Sequence, residues 1–193
     1  MELKTLKTLS IAGALLLCCA VFSGTASGQA LKKQYVADFG AAFTQATVTK
    51  AQTGLFGLDL SAGKMFTNSL SAGLAIGYDI VSFRKNEGIY ERLAVVPILA
   101  KAKYYFTIAP AMQLHAIAAA GAYQAIPHLG TDQIGGISEA GMHAGGSLGV
   151  GFDYWFLGSQ GLGVEFEYNF FDSGAEDLFS YFAFRVNYSI IKM

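Results

Sequence analysis

The chain has 193 residues, of which 53% are hydrophobic, 14% are charged and 23 are glycine, and its formal net charge is −1. That length is one domain's worth of chain, and a charged share well under the roughly one quarter usual in water-soluble domains points toward lipid. Abundant aliphatic and aromatic residues exclude disorder, and without a Lys/Arg cluster there is no basic face for a nucleic-acid partner.

The first thirty residues read as an address. Lys4 and Lys7 form a basic start, residues 9–22 (LSIAGALLLCCAVF) an apolar stretch, and SGTASGQA a run of small residues. This is the layout of a cleaved secretory signal peptide, with the cut expected after Gly28 or Ala30 and residues 31–193 left as the mature domain. The apolar stretch is shorter than the roughly 20 residues that a spanning helix needs. Cys18 and Cys19 both fall in this leader, and Leu17 before Cys18 is a poor match to a lipoprotein site. The mature chain then has no cysteine, which removes disulfides, thiol catalysis and cysteine metal sites together.

Past residue 30 no apolar run is long enough for a helical span, and a period of two takes over, which means strands. Residues 34–46 set Tyr35, Phe39 and Phe43 opposite Asp38 and Gly40, and residues 53–66 set Phe56, Leu58, Leu60 and Ala62 opposite Gly57, Asp59 and Ser61. In residues 69–83 the even positions Leu70, Leu74, Ile76, Tyr78 and Ile80 alternate with Ser69, Ser71, Gly73, Gly77 and Asp79. Residues 93–106 place Val96, Ile98, Ala100, Ala102, Tyr104 and Phe106 against Lys101 and Lys103. The alanine-rich stretch 112–125 fits a buried helix by propensity, but Gly121 and the hairpin spacing favour a strand. Residues 142–156 oppose Leu148, Val150, Phe152, Tyr154 and Phe156 to Gly145, Ser147, Gly149, Gly151 and Asp153. Residues 162–170 oppose Leu162, Val164, Phe166, Tyr168 and Phe170 to Gly163, Glu165, Glu167 and Asn169, and the last segment alternates Phe182, Phe184, Val186, Tyr188 and Ile190 with Ala183, Arg185, Asn187 and Ser189.

Eight strands result, with connections that alternate between short (near 67–68, 107–111 and 158–161) and long (near 47–53, 84–92, 126–141 and 172–177). That rhythm predicts an all-β fold, an eight-stranded antiparallel up-and-down transmembrane β-barrel with its short turns in the periplasm and its long loops outside. The rival all-β reading is a secreted lipocalin-like carrier, whose apolar parity faces inward around a ligand. Gly, Ser and Ala dominate the polar parity, which suits a narrow interior better than a solvated surface. Aromatics of the apolar parity gather at the strand ends, with Tyr104, Phe106, Tyr154, Phe156 and Tyr188 at one end and Tyr78, Tyr168 and Phe170 at the other, as two interfacial girdles do.

The segments VVPILAKAKYYF, HAGGSLGVGFDYWF and LGVEFEYNF resemble the small outer-membrane β-barrel proteins of Gram-negative bacteria, the group that includes the OmpA and OmpX barrels. The resemblance covers residues 34–190. It implies residence in the bacterial outer membrane, lipids and lipopolysaccharide as surroundings, and handling by the barrel-assembly machinery. Members mostly end on an aromatic residue, whereas this chain runs past Tyr188 into Ile-Ile-Lys-Met.

An eight-stranded barrel is filled by its own side chains. Parity points Asp59, Asp79, Lys101, Lys103, His115, Asp153, Glu165, Glu167 and Arg185 inward, where opposite charges are expected to pair because unpaired buried charge costs several kcal/mol. The expected role of that interior polar network is structural; an ion path along Lys101, Lys103, Glu165, Glu167 and Arg185 is the alternative, making the protein a narrow channel for ions or small apolar molecules. Enzyme chemistry finds no constellation: His143 and Ser147 share the inward parity but stand about 13 Å apart along one strand, and His128 lies in the longest loop. No metal-ligand spacing appears, no cofactor is implied, and GGSLGVG lacks the helix start that a phosphate cradle needs. The loop 126–141 is the best candidate for an extracellular ligand. The expected function is therefore a non-catalytic outer-membrane barrel with a structural or surface-interaction role.

Overall fold

A computed structural model describes residues 34–47, 56–86, 89–127, 141–156, 159–172 and 178–192. The expected leader (1–30), His128 and most of the loops 47–53, 126–141 and 172–177 lie outside the described residues. Eight strands follow one another in chain order: β1 (Tyr35–Ala46), β2 (Phe56–Met65), β3 (Leu70–Asn86), β4 (Ile89–Ala109), β5 (Met112–Pro127), β6 (Gly141–Trp155), β7 (Gln160–Asp172) and β8 (Leu178–Lys192). Each pairs antiparallel with the next, and β8 returns to β1, so the sheet closes and has no free edge.

Burial alternates along the strands as the sequence does, because a pleated strand sends successive side chains to opposite faces. The apolar parity faces outward: Leu74 is 70% exposed, Phe43 63% and Val150 61%. This overturns the lipocalin-like alternative, which needs that parity inside. An apolar outer belt around a closed barrel is what a lipid bilayer accommodates, since a closed ladder pairs backbone polar groups within the wall. The belt is uneven. Phe56, Phe43, Phe184 and Phe166 stand side by side in register across β2, β1, β8 and β7, while β4, β5 and β6 present Ala100, Ala102, Ala118, Ala120, Ala122 and Ala144.

Three details go beyond the sequence pattern. The alanine-rich segment is strand β5: its odd residues His115, Ile117 and Tyr123 are buried in the lumen, and that tertiary demand overrides the helix preference of alanine. The connection expected as a long loop at 84–92 is mostly strand, with β3 paired to β4 as far as Asn86 and Ile89. Apolar alternation stops at the edge of the lipid, but a ladder in water needs no apolar side chains, so the pattern ended before the sheet did. Finally, the β3–β4 pairing is interrupted between Ile76–Ile98 and Asp79–Val95, with the register unchanged across the gap. Pro97, which has no N–H to give to β3, stands in that interval.

Candidate functional site: the charged layer of the lumen

The lumen is filled in three tiers. At the short-turn end Val36, Met65, Tyr105 and Ile191 form an apolar cluster with Trp155 against it, and the Trp155 indole N–H donates to Gln113 Oε1 at 3.1 Å. At the long-loop end Val81, Leu93, Val95, Leu99 and Tyr123 cluster with Phe171, Phe179 and Tyr181. Phe171 is the centre of that tier, 5.0 Å from the Tyr123 ring, 5.1 Å from Phe179 and 5.7 Å from His143. His143 is thus a residue whose ring lies tilted against an aromatic at the long-loop end.

Between these tiers lies a layer of charge to which every strand contributes: Asp38 from β1, Asp59 from β2, Asp79 from β3, Lys101 and Lys103 from β4, His115 from β5, Asp153 from β6, Glu165 and Glu167 from β7, and Arg185 from β8. All are buried, the most accessible being Lys101 at 7%. Glu165 is the hub. Its Oε2 accepts from Lys101 Nζ at 2.9 Å, and its Oε1 accepts from Lys103 Nζ and lies 3.2 Å from His115 Nε2. Lys101 also donates to Glu167 Oε1 at 2.7 Å, and Lys103 to Asp38 Oδ2 at 2.6 Å, where Ser61 Oγ donates as well at 2.9 Å.

Arg185 carries the chain of contacts to the other side of the barrel. Its Nη1 is 2.8 Å from Glu167 Oε2, its Nη2 donates to Asp79 Oδ2 at 3.1 Å, and its Nε is 3.8 Å from Asp59 Oδ1. Tyr181 joins the charged layer to the aromatic tier by donating its hydroxyl to Asp79 Oδ2 at 2.8 Å. On the opposite flank His115 Nδ1 is 3.0 Å from Asp153 Oδ2. Ion pairs of this kind need not stabilise a fold relative to apolar filling, but removing one partner strands a buried charge.

Glycine makes room for these side chains. Asp79 pairs in register with Gly57, Lys101 with Gly73, His115 with Gly151, Glu167 with Gly149 and Asp153 with Gly163. A Cβ on Gly151 would come within 2.2 Å of His115 Nε2, one on Gly57 within 2.4 Å of Asp79 Oδ1, and one on Gly163 within 2.2 Å of Asp153 Oδ1. The close spacing of small and large residues is therefore steric accommodation across the wall.

The structure brings Asp79, Lys101, Lys103, Glu165, Glu167 and Arg185 into one connected set and leaves Asp59 at its margin. Sequence reasoning missed Asp38 as a member, although it shares the parity of Gly40 in β1; that parity was the available signal. It also missed the inward aromatics Tyr123, Phe171, Phe179 and Tyr181, which lie on the parity that is polar elsewhere. No strand pattern marks them, because they belong to the tier beyond the charges.

No family model matches the sequence, and no curated protein does. Among solved structures the chain is similar to Ail, the attachment invasion locus protein of Yersinia pestis (TM-score 0.54, 13% identity, 83% of this chain and 99% of that one). It is also similar to Neisserial surface protein A (0.56, 19%, 81% and 95%) and to the outer membrane protein OprG of Pseudomonas aeruginosa (0.56, 11%, 86% and 98%). At these identities the shared property is the fold, that of the small outer-membrane barrels.

Proposed function

We propose that this protein is a non-conducting, non-catalytic barrel of the bacterial outer membrane, exported by its leader and serving as a rigid anchor for surface loops. The observation that supports this most is the filling of the lumen: a charged layer tied to all eight strands, with apolar side chains above and below it. An ion crossing it would have to pass two apolar tiers and displace Lys101, Lys103 and Arg185 from their carboxylates. Electrophysiology tests this. Purified barrel in planar bilayers is expected to give no discrete conductance steps; steps that vanish in Lys101→Ala or Glu165→Gln would establish the narrow-channel reading instead.

For the surface role, the loop 126–141 is the candidate contact region, and the outer leaflet's lipids and lipopolysaccharide are its immediate surroundings. Assembly by the barrel-assembly machinery belongs to the same reading. A protein of this fold, Ail, has been solved with the heparin analogue sucrose octasulfate, which supports a ligand-contacting role for a barrel of this kind. Deletion of residues 128–140 is expected to leave the folded barrel intact and to abolish any cell-surface binding that the whole protein confers. Loss of folding on deletion would count against the loop as a separable element.

A further inference from the structure

We propose that the charged layer contains a binding site for one water molecule, held between β1, β2, β3 and β4 where Asp38 meets the two lysines. A cavity of about 20 Å³ lies there, with Asp38, Ser71, Lys101, Lys103, Gly63 and Gly73 in its lining. A water needs about 10–15 Å³ and a few polar partners, so the space admits one molecule. The sequence builds this space into the wall. Gly63 and Gly73 stand opposite each other across β2 and β3, and Gly73 is in turn opposite Lys101. A Cβ on Gly73 would come within 2.0 Å of the Ala62 carbonyl oxygen, and one on Gly63 within 2.9 Å of that of Ala72. The backbones approach too closely for either position to carry a side chain that could fill the gap.

The inventory of donors and acceptors names the occupant. Asp38 Oδ2 is taken by Lys103 and Ser61, whereas Asp38 Oδ1 is buried with no hydrogen-bond partner among the described residues. An oxygen in that position calls for a donor, because a buried acceptor left unpaired destabilises the fold. Lys103 donates to Asp38 and Glu165, and Lys101 to Glu165 and Glu167. An ammonium carries three N–H donors, so each lysine has one more than these carboxylates take. A water that accepts from a lysine and donates to Asp38 Oδ1 uses both, and ties β1 to β4 by a second route. Neither sign of ion suits the same lining, since two ammonium groups repel a cation and the Asp38 oxygen repels an anion. What the lining selects is a neutral molecule of one heavy atom that both donates and accepts. Such a water leaves the apolar tiers above and below intact, so the site does not depend on whether the barrel conducts.

The test is a crystal structure of the detergent-extracted protein at a resolution that shows ordered water, with companion crystals soaked in rubidium and in bromide salts. One peak of water weight is expected in the cavity, at hydrogen-bond distance from Asp38 Oδ1 and from a lysine Nζ, with no anomalous signal there in either soak. A rubidium or bromide peak at the site would make the occupant an ion and overturn the proposal. So would a cavity without density, or an Asp38 Oδ1 that takes its hydrogen bond from Ser189, its register partner on β8. In micelles the same water is read by NMR. Cross-relaxation at the water frequency is expected for the Cα protons of Gly63 and Gly73 and not for the side chain of Val81 in the aromatic tier; silence at the two glycines would overturn the proposal.

Discussion

Glu165 is the residue on which the charged layer depends most, since Lys101, Lys103 and His115 all meet its carboxylate. Replacing it by Gln keeps the shape and removes the charge that Lys101 and Lys103 share, leaving Lys101 only Glu167 and Lys103 only Asp38 as ion-pair partners among the described residues. The expected cost is about 3–5 kcal/mol, read as a lower urea midpoint for micelle-folded protein. A steric counterpart is Gly151→Ala, whose methyl would overlap the His115 ring; overpacking of this kind costs about 1–3 kcal/mol. Pairing it with His115→Ala should recover part of that loss, and a double-mutant cycle measures the coupling. At this scale the sequence was partly legible. Alternation alone places Lys101, Glu165 and Arg185 on one face, but which carboxylate each cation meets depends on how far apart their strands lie around the closed barrel. Lys101 and Glu167 are on β4 and β7, which are not neighbours in the wall, so no local pattern pairs them.

Elements were read well where one face met lipid and less well elsewhere. Strands β6, β7 and β8 show clean alternation because each has a uniform apolar outside and a small or polar inside. Strand β5 was ambiguous because alanine on its outer face carries little preference for either state, and the odd-numbered His115, Ile117 and Tyr123 decide it only once a lumen exists to receive them. The β3–β4 hairpin was cut short for the opposite reason, since the sequence beyond Ile80 carries no apolar alternation to announce it. The direction of the faces is directly testable. Val150 lies near the middle of β6 and points to lipid, so Val150→Arg is expected to cost about 2–4 kcal/mol. Thermodynamic unfolding in lipid vesicles checks this, and a negligible effect would mean that this part of the wall is not in the bilayer core.

For the whole molecule, closure of β1 on β8 means that no strand can leave without breaking two ladders, which predicts cooperative, kinetically slow unfolding. Unheated protein in SDS is expected to migrate differently from boiled protein, with no populated intermediate band. Closure itself was legible from the even strand count and the turn rhythm. The tiered filling was not, because Phe171 and Phe179 share a parity with Glu167 and Arg185, and height in the barrel is not written in any short window of sequence. Those tiers carry a further expectation for conductance: Glu165→Gln leaves both apolar ends in place, so the variant should be less stable yet still electrically silent.

The pairing of glycine with bulky side chains bears on how the strands find their alignment. Outside the barrel one hydrocarbon neighbour is much like another, so lipid rewards any alignment that keeps the apolar parity outward, and a slip of two residues does so. The lumen does not tolerate that slip. Between β6 and β7 the native alignment sets Gly145 against Phe171, Gly149 against Glu167, Gly151 against Glu165, and Asp153 against Gly163. Moved two residues in one sense, Asp153 would oppose Glu165, two acids in a dry interior; moved in the other, Gly151 would oppose Gly163 and leave a hole. The interior therefore works as a combination lock, with the glycines as its notches, and it proofreads the one degree of freedom to which the membrane is blind.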